Sequence, residues 1–333
     1  MTVRALVVLP AHVGGIKLAG AVAAGLGEEF ETTAVEAAGD DPRALREAEV
    51  IVTALAPVTA EHLAQAEKLR FVQCASHGFD HVDLDAAAER GISVSNIGST
   101  DAEAQDVAEH ALCLILALAK QLIPGHNALR EGNWILPALM PGITELFGKT
   151  LGVVGFGAIG QQLARRAAAF DMKLVYTDTK DVANPYGAQR LELDELLAQA
   201  DYVSLHLPLT DRTRHILDAR RIALMKPTAI VVNTARGGLI DQDALAQALT
   251  EGRLGGAGLD VFDPEPPGAD LALLRAPNVA LSPHTAGVTR ETTLRIANAA
   301  LVNVRRFAGG EPPLDVVNSP VQRVQPAKTH PKR

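Results

Sequence analysis

Leu151-Gly-Val-Val-Gly155-Phe-Gly157-Ala-Ile-Gly160 runs directly into Gln161-Gln-Leu-Ala-Arg-Arg-Ala-Ala-Ala-Phe170, and this stretch decides the fold. A short apolar run enters a glycine turn and leaves it as a helical pattern. The spacing has a physical reason: Gly155 permits a tight turn, Gly157 lets the backbone approach a diphosphate, and Gly160 allows close helix–strand packing. The amides opening the helix, at Ala158, Ile159 and Gly160, then face the phosphate charge. Glycine-rich turns are common, so the context matters: a strand precedes this one, a helix follows, and an acid ends the next strand. That acid is Asp178, 23 positions beyond Gly155, at the end of Lys173-Leu-Val-Tyr-Thr-Asp178. A carboxylate there accepts from adenosine ribose hydroxyls and repels a 2′-phosphate. NAD is therefore the expected cofactor. Nearby Lys180 keeps NADP as the less favoured alternative.

Outward from this motif, strand patterns recur at 151–154, 173–177, 202–205, 229–233, 256–259 and 279–281. Helical patterns at 159–170 and 242–251 lie between them, and a last helix is expected at 290–307. The first hundred residues alternate in the same way. Strands are expected at 5–9, 50–54, 71–74 and 92–95, with helices at 59–68 and 83–90. Between the two series a long helix is expected at 102–122, halted by Ile123-Pro124-Gly125. A polar connector follows, through Pro137, Pro141 and Gly142. Alternation of this kind implies an α/β chain with two doubly wound parallel-sheet domains.

The composition agrees. Apolar residues make up 47% of the 333 and aromatics only 4%, so the core is built from small aliphatic side chains that suit parallel strands covered on both faces. A formal charge of −8 with no basic stripe argues against a nucleic-acid partner. The short basic tail around Lys328, Lys332 and Arg333 reads as a frayed terminus. The longest apolar run, 111–119, is far too short to span a bilayer, and a soluble protein without a membrane partner is expected. Two cysteines, Cys74 and Cys113, make no disulfide framework and no metal-ligand spacing, so no metal and a cytoplasmic setting are expected.

Three later segments carry unusual polar content just after strand patterns: Val232-Asn-Thr-Ala-Arg236, Gly258-Leu-Asp260-Val-Phe-Asp-Pro-Glu265 and Leu281-Ser-Pro-His284. In an open α/β sheet ligands sit beyond the carboxyl ends of strands, where these residues fall. Arg, Glu and His together can reduce a ketone. The guanidinium grips a carboxylate and polarises the adjacent carbonyl. The imidazolium donates a proton to the oxygen, and a neighbouring carboxylate favours and orients the charged ring. Taken alone, the same residues are also compatible with a strand-capping arginine and a hydrogen-bonded loop histidine.

In their order, these motifs resemble the D-isomer-specific 2-hydroxyacid dehydrogenase family, which includes glyoxylate, hydroxypyruvate, D-lactate and phosphoglycerate dehydrogenases. Ser204-Leu-His-Leu-Pro-Leu-Thr210 and the approach Glu145-Leu-Phe-Gly-Lys-Thr150 to the glycine turn add to the likeness, which extends from about Val50 to Asn318. The resemblance implies Arg236 as the substrate-gripping arginine, His284 as the acid–base and Glu265 as its paired carboxylate. It implies Asp260 at the nicotinamide end of the cofactor, with His206, Pro208, Thr213, Thr234, Ala235, Arg236, His284 and Gly287 completing the cofactor lining. It implies a Rossmann-type NAD domain (101–287) inserted into a discontinuous flavodoxin-like substrate-binding domain (1–100 and 288–333). A homodimer is expected, and the apolar face of 107–119 suits its interface or an ordinary core equally.

The substrate is expected to be a small 2-oxo or 2-hydroxy acid, its carboxylate held by backbone amides of Ser76, His77 and Gly78. Many relatives are richer in glycine here, so Ser76 and His77 are candidates for setting specificity. Alternatives on the same fold are a phosphite dehydrogenase, whose sequences carry lysine where His77 stands, and a formate dehydrogenase, which generally has glutamine in place of Glu265. An NAD-sensing binding protein is the alternative from another class.

Overall fold

The computed structural model describes residues 2–98, 103–180, 182 and 186–319. The chain forms two compact units, Met1–Ala102 with Thr293–Arg333, and Glu103–Thr292. The expected boundary at 100–101, the expected helix start at 102 and the basic tail lie outside the described residues.

The first unit holds five parallel strands: β1 (Val3–Val8), β2 (Phe30–Val35), β3 (Val50–Thr53), β4 (Phe71–Cys74) and β5 (Ser93–Ser95). Their order is β2-β1-β3-β4-β5, a doubly wound arrangement that reverses at β1 and β3. The connections carry α1 (Gly15–Leu26), α2 (Pro42–Glu47), α3 (Ala60–Gln65) and α4 (Leu84–Glu89). Capping explains three of these starts: Asp41 accepts from the Ala44 amide, Thr59 from His62 and Asp83 from Ala86. β3 and β4 are buried throughout, as central parallel strands must be. β2 is absent from the sequence-based expectation. It is an edge strand, Phe-Glu-Thr-Thr-Ala-Val, in which the exposed Glu31 and the half-buried Thr32 and Thr33 break the apolar run.

The second unit opens with α5 (Ala104–Ala119), α6 (Leu122–Arg130) and the single turn α7 (Leu136–Leu139). Here the expectation needs correction. Pro124 and Gly125 do not begin an irregular connector; they lie inside α6. Pro124 falls in its first turn, where the missing N–H has no helical partner to lose. The break comes earlier, at Gln121 with φ 49°, and α5 and α6 meet at 64°. Among the described residues no single helix is long and apolar enough to cross a membrane.

The rest of this unit is a seven-stranded parallel sheet: β6 (Thr150–Val154), β7 (Lys173–Thr177), β8 (Gln189–Arg190), β9 (Tyr202–Leu205), β10 (Ile230–Asn233), β11 (Gly256–Leu259) and β12 (Val279–Leu281). The order β12-β11-β10-β9-β6-β7-β8 reverses between β6 and β9. That switch point opens a crevice at the carboxyl ends of the strands, the usual ligand position in such sheets. α8 (Ala158–Ala168), α9 (Leu193–Gln199), α10 (Ala219–Ile222) and α11 (Gln242–Thr250) supply the connections. α5 packs on β10 and β11 with Leu114 and Leu118 facing Gly258, where a side chain would meet Leu114 at 2.9 Å. The apolar face of 107–119 is thus largely core: Val107, Ala111, Leu114, Ile115 and Leu118 are buried. After β12 the chain enters α12 (Arg290–Ala308), most of which belongs to the first unit.

Candidate active site

β6 delivers the glycine turn to the switch point. Gly155 has φ +92°, and a Cβ there would stand 2.4 Å from the His206 carbonyl at the end of β9, so only glycine fits. Gly160, in the first turn of α8, backs onto the Gly155 carbonyl. Gly157 differs: a Cβ on it would meet nothing within 4 Å. The protein's own packing does not require glycine at 157, but close approach of a ligand to the α8 amides of Ala158, Ile159 and Gly160 does. Asp178 follows β7, and its carboxylate accepts from the Phe156 amide at 2.7 Å and the Lys180 amide at 2.9 Å. The acid is thereby tied to the glycine turn itself.

The other expected cofactor contacts vary in availability. His206 accepts or donates through Nε2 to Ser204 Oγ at 2.8 Å, while its buried Nδ1 has no partner among the described residues. Burial pushes this imidazole down to about 4, so it is neutral near pH 7. Thr234 is buried, and its hydroxyl is likewise unpartnered. Two unsatisfied polar atoms beside the switch point fit a polar ligand. Thr213, by contrast, spends its hydroxyl on its own loop, donating to the Pro208 carbonyl at 2.7 Å. Ala235 is fixed by its amide on Asn233 Oδ1. Gly287 lies against Glu103, just before α5, and Val107 within it. The set fits a dinucleotide: open space at Gly157, a carboxylate beyond β7, and polar groups beyond β9 and β10.

Arg236, Glu265 and His284 come from loops after β10, β11 and β12, and the fold brings them together. His284 Nδ1 lies 2.6 Å from Glu265 Oε2. The other oxygen, Oε1, accepts from the Phe262 amide at 2.8 Å. Burial alone would push the Glu265 carboxyl up. The hydrogen bond and charge of His284, the Phe262 amide and the Arg236 charge outweigh it and hold the group below the usual carboxylate range. Glu265 is thus an anion near pH 7, and His284 Nδ1 must be the donor to it. The tautomer is fixed, leaving Nε2 as the nitrogen that can give or take a proton.

His284 has φ 53°, a left-handed conformation that costs free energy in a residue other than glycine. Asp260 holds it there. The Asp260 carbonyl accepts from the His284 amide at 2.7 Å. Its fully buried carboxylate accepts from the amides of Thr285 at 2.9 Å and Ala286 at 2.8 Å, and from Ser282 Oγ at 2.5 Å. The resemblance points Asp260 at the cofactor; in the structure its carboxylate is engaged by the segment carrying His284. Arg236 is partly exposed and donates through Nη1 to the Ala235 carbonyl at 2.7 Å. Asn233 brackets it by accepting from the Ala235 amide and donating to the Arg236 carbonyl.

In the first unit, Ser76, His77 and Gly78 form the loop after β4. The Ser76 hydroxyl donates to the Gly78 carbonyl at 2.7 Å, and Asn96 donates to the His77 carbonyl at 2.8 Å. The Ser76 hydroxyl thus braces the loop. Three site groups escaped the sequence reading. Asn233 and Ser282 stood inside the quoted segments without a role. His110 on α5 lies 2.8 Å from Ser282 Oγ, and its only signal was a basic residue in an apolar helical run.

Residues 112–286 match the family described as D-isomer specific 2-hydroxyacid dehydrogenase, NAD binding domain. The chain is 41% identical over 276 residues to a glyoxylate reductase of Korarchaeum cryptofilum, covering 81% of this chain and 82% of that one. It is 41% identical over 281 residues to a D-3-phosphoglycerate dehydrogenase of Methanocaldococcus jannaschii, covering 83% of this chain but 53% of that longer one. Among solved structures it is similar to an NAD-dependent formate dehydrogenase of Staphylococcus aureus in complex with NAD. The TM-score is 0.86 at 32% identity, covering 94% of this chain and 97% of the other. The chain belongs to the D-isomer specific 2-hydroxyacid dehydrogenase family, oxidoreductases whose NAD-binding domain it carries.

Proposed function

We propose that the chain interconverts a small 2-oxo acid and its D-2-hydroxy acid, with Arg236 holding the substrate and His284 moving the proton at the C2 oxygen. The observation that carries the reading is the 2.6 Å His284–Glu265 pair, which leaves Nε2 free for a substrate oxygen. The Gly155–Gly160 turn and Asp178 would hold NAD, which when bound would supply or accept the hydride at C2. The neutral His206 and the Thr234 hydroxyl would line its nicotinamide half, with Pro208, Thr213, Ala235, Asp260 and Gly287 around them. Arg236 pairs with the substrate carboxylate and polarises the neighbouring carbonyl. His284 delivers its proton from Nε2 as the C2 oxygen gains charge, and Glu265 stabilises the imidazolium that performs this step. The amides of Ser76, His77 and Gly78 are the proposed second anchor for the carboxylate. Asp178 would disfavour a 2′-phosphate and so favour NAD over NADP.

The reading extends to a cytoplasmic homodimer. Cys74 and Cys113 are both free thiols, as a reducing compartment requires. Leu122, Leu129, Trp134, Met140 and Phe147 are each more than half exposed, apolar surface of the kind a partner copy covers. This replaces the face of 107–119 as the surface to test.

The test is NADH oxidation against glyoxylate, hydroxypyruvate, pyruvate, oxaloacetate, 2-oxobutyrate, 2-oxoisocaproate, phenylpyruvate and phosphohydroxypyruvate, with NADPH in parallel. Turnover of one or a few, faster with NADH, is expected. Silence on the whole panel despite NADH binding would overturn the reading, and phosphite, formate and a sensing role would be examined next.

Glu265→Gln tests the pair directly. Removing the anion removes the acceptor that fixes the Nδ1–H tautomer and steadies the imidazolium formed in the step, so kcat for reduction should fall. An unchanged kcat would remove the proposed coupling.

A further inference from the structure

We propose that His110 is a positioning residue for the catalytic histidine, acting through Ser282 and Asp260; the proposal rests on His284 as the proton donor. The donor accounting is strict. Asp260, fully buried as a carboxylate, can only accept, so the Ser282 hydroxyl donates to Oδ1 across 2.5 Å. That spends the single hydroxyl proton. The 2.8 Å contact between Ser282 Oγ and His110 Nε2 is then a hydrogen bond only if Nε2 carries a proton and donates. The relay runs one way, His110 Nε2–H to Ser282 Oγ–H to Asp260 Oδ1, and the same Nε2 stands 3.6 Å from Oδ1, beyond hydrogen-bond reach. Both the neutral Nε2–H tautomer and the imidazolium can make this donation.

What the relay holds is the backbone of the catalytic loop. Asp260 takes the amides of Thr285 and Ala286 on opposite carboxylate oxygens, and its carbonyl takes the amide of His284. Rotation of that carboxylate would release the segment in which His284 sits at positive φ. Ser282 and His110 block the rotation from the α5 side. One turn earlier on the same helix, Asp106 receives the hydroxyl of Thr292, at the far end of the segment. α5 therefore grips the His284 segment at both ends through His110 and Asp106.

The experiment compares His110→Leu, His110→Gln, Ser282→Ala and the double substitution combining His110→Leu with Ser282→Ala, all in the full chain. The readouts are kcat, KM, Tm and the far-downfield proton resonance of the His284–Glu265 hydrogen bond. His110→Leu and Ser282→Ala should each lower kcat roughly 10- to 100-fold with smaller changes in KM, the scale of a misplaced catalytic group. The downfield resonance should shift or broaden in both. The double substitution should be no worse than either single one, because both break the same chain. His110→Gln presents an N–H donor at similar reach and should recover most of the loss. Equal kcat for the Gln and Leu variants, additive losses, or an unshifted resonance in His110→Leu would overturn the proposal, and a fall in Tm alone would assign His110 to packing. The resonance is read without turnover. A wild-type chain silent on every 2-oxo acid would therefore sink the proposed reaction, while the relay would stand or fall on the spectrum.

Discussion

His284→Ala is expected to lower kcat for 2-oxo acid reduction by about 10²–10⁴-fold while NADH still binds, because a positioned general acid contributes on that scale. The reason is local. Nδ1 is committed to Glu265 at 2.6 Å, Nε2 has no partner among the described residues, and no second histidine shares the Glu265 carboxylate. His206 cannot stand in: burial holds its imidazole down to about 4, so it carries no imidazolium proton near neutrality. Removing the ring also leaves Glu265 with one fewer donor, but the Phe262 amide remains, so the loop should keep its shape. Stopped-flow kcat together with NADH fluorescence titration separates the two effects. Near-normal reduction by the variant would mean that another group protonates the substrate.

Arg236→Ala should damage both KM and kcat. Truncating one partner of a close charged pair typically costs about 2–5 kcal/mol, which corresponds to a loss in kcat/KM of about 30- to several-thousand-fold. In the proposed reaction the guanidinium would do two things at once: hold the substrate carboxylate, which sets binding, and place positive charge beside the carbonyl, which matters most as the oxygen gains charge. Its position is set by Asn233, which fixes the backbone on either side, and by the Ala235 carbonyl. Arg236→Lys keeps the charge but not the two-pronged donor, and should recover only part of the loss. A variant whose KM rises with kcat unchanged would limit Arg236 to binding.

What could be read from the chain, and what could not, follows from burial and separation. β3, β4, β9, β10 and β11 are buried along their whole length, so each stood out as an apolar run. β2 and the two-residue β8 lie at sheet edges with exposed polar residues, and no period marks them. α6 was hidden by Pro124, which reads as a stop unless the helix start is known to lie at 122. The glycine turn, Asp178 and the proposed catalytic residues Arg236, Glu265 and His284 were legible because each sits within a few residues of a strand end. The His284–Glu265 pair closes over nineteen residues, but the His110–Ser282 contact closes over 172, and nothing local announces it. Asp260 is the instructive case. Its presence beyond β11 was plain, yet that its carboxylate holds the His284 loop depends on where two backbone amides and a serine hydroxyl arrive in space.

The central claim is best tested on the product. The wild-type chain is incubated with NADH carrying deuterium at the transferring position and with the 2-oxo acid it turns over fastest. The hydroxy acid is then analysed by mass spectrometry and chiral chromatography, with hydroxypyruvate or pyruvate preferred because their products are chiral. One deuterium on C2 and the D-isomer are expected. Oxidation of the nicotinamide without deuterium on C2, or an L-product, would contradict it.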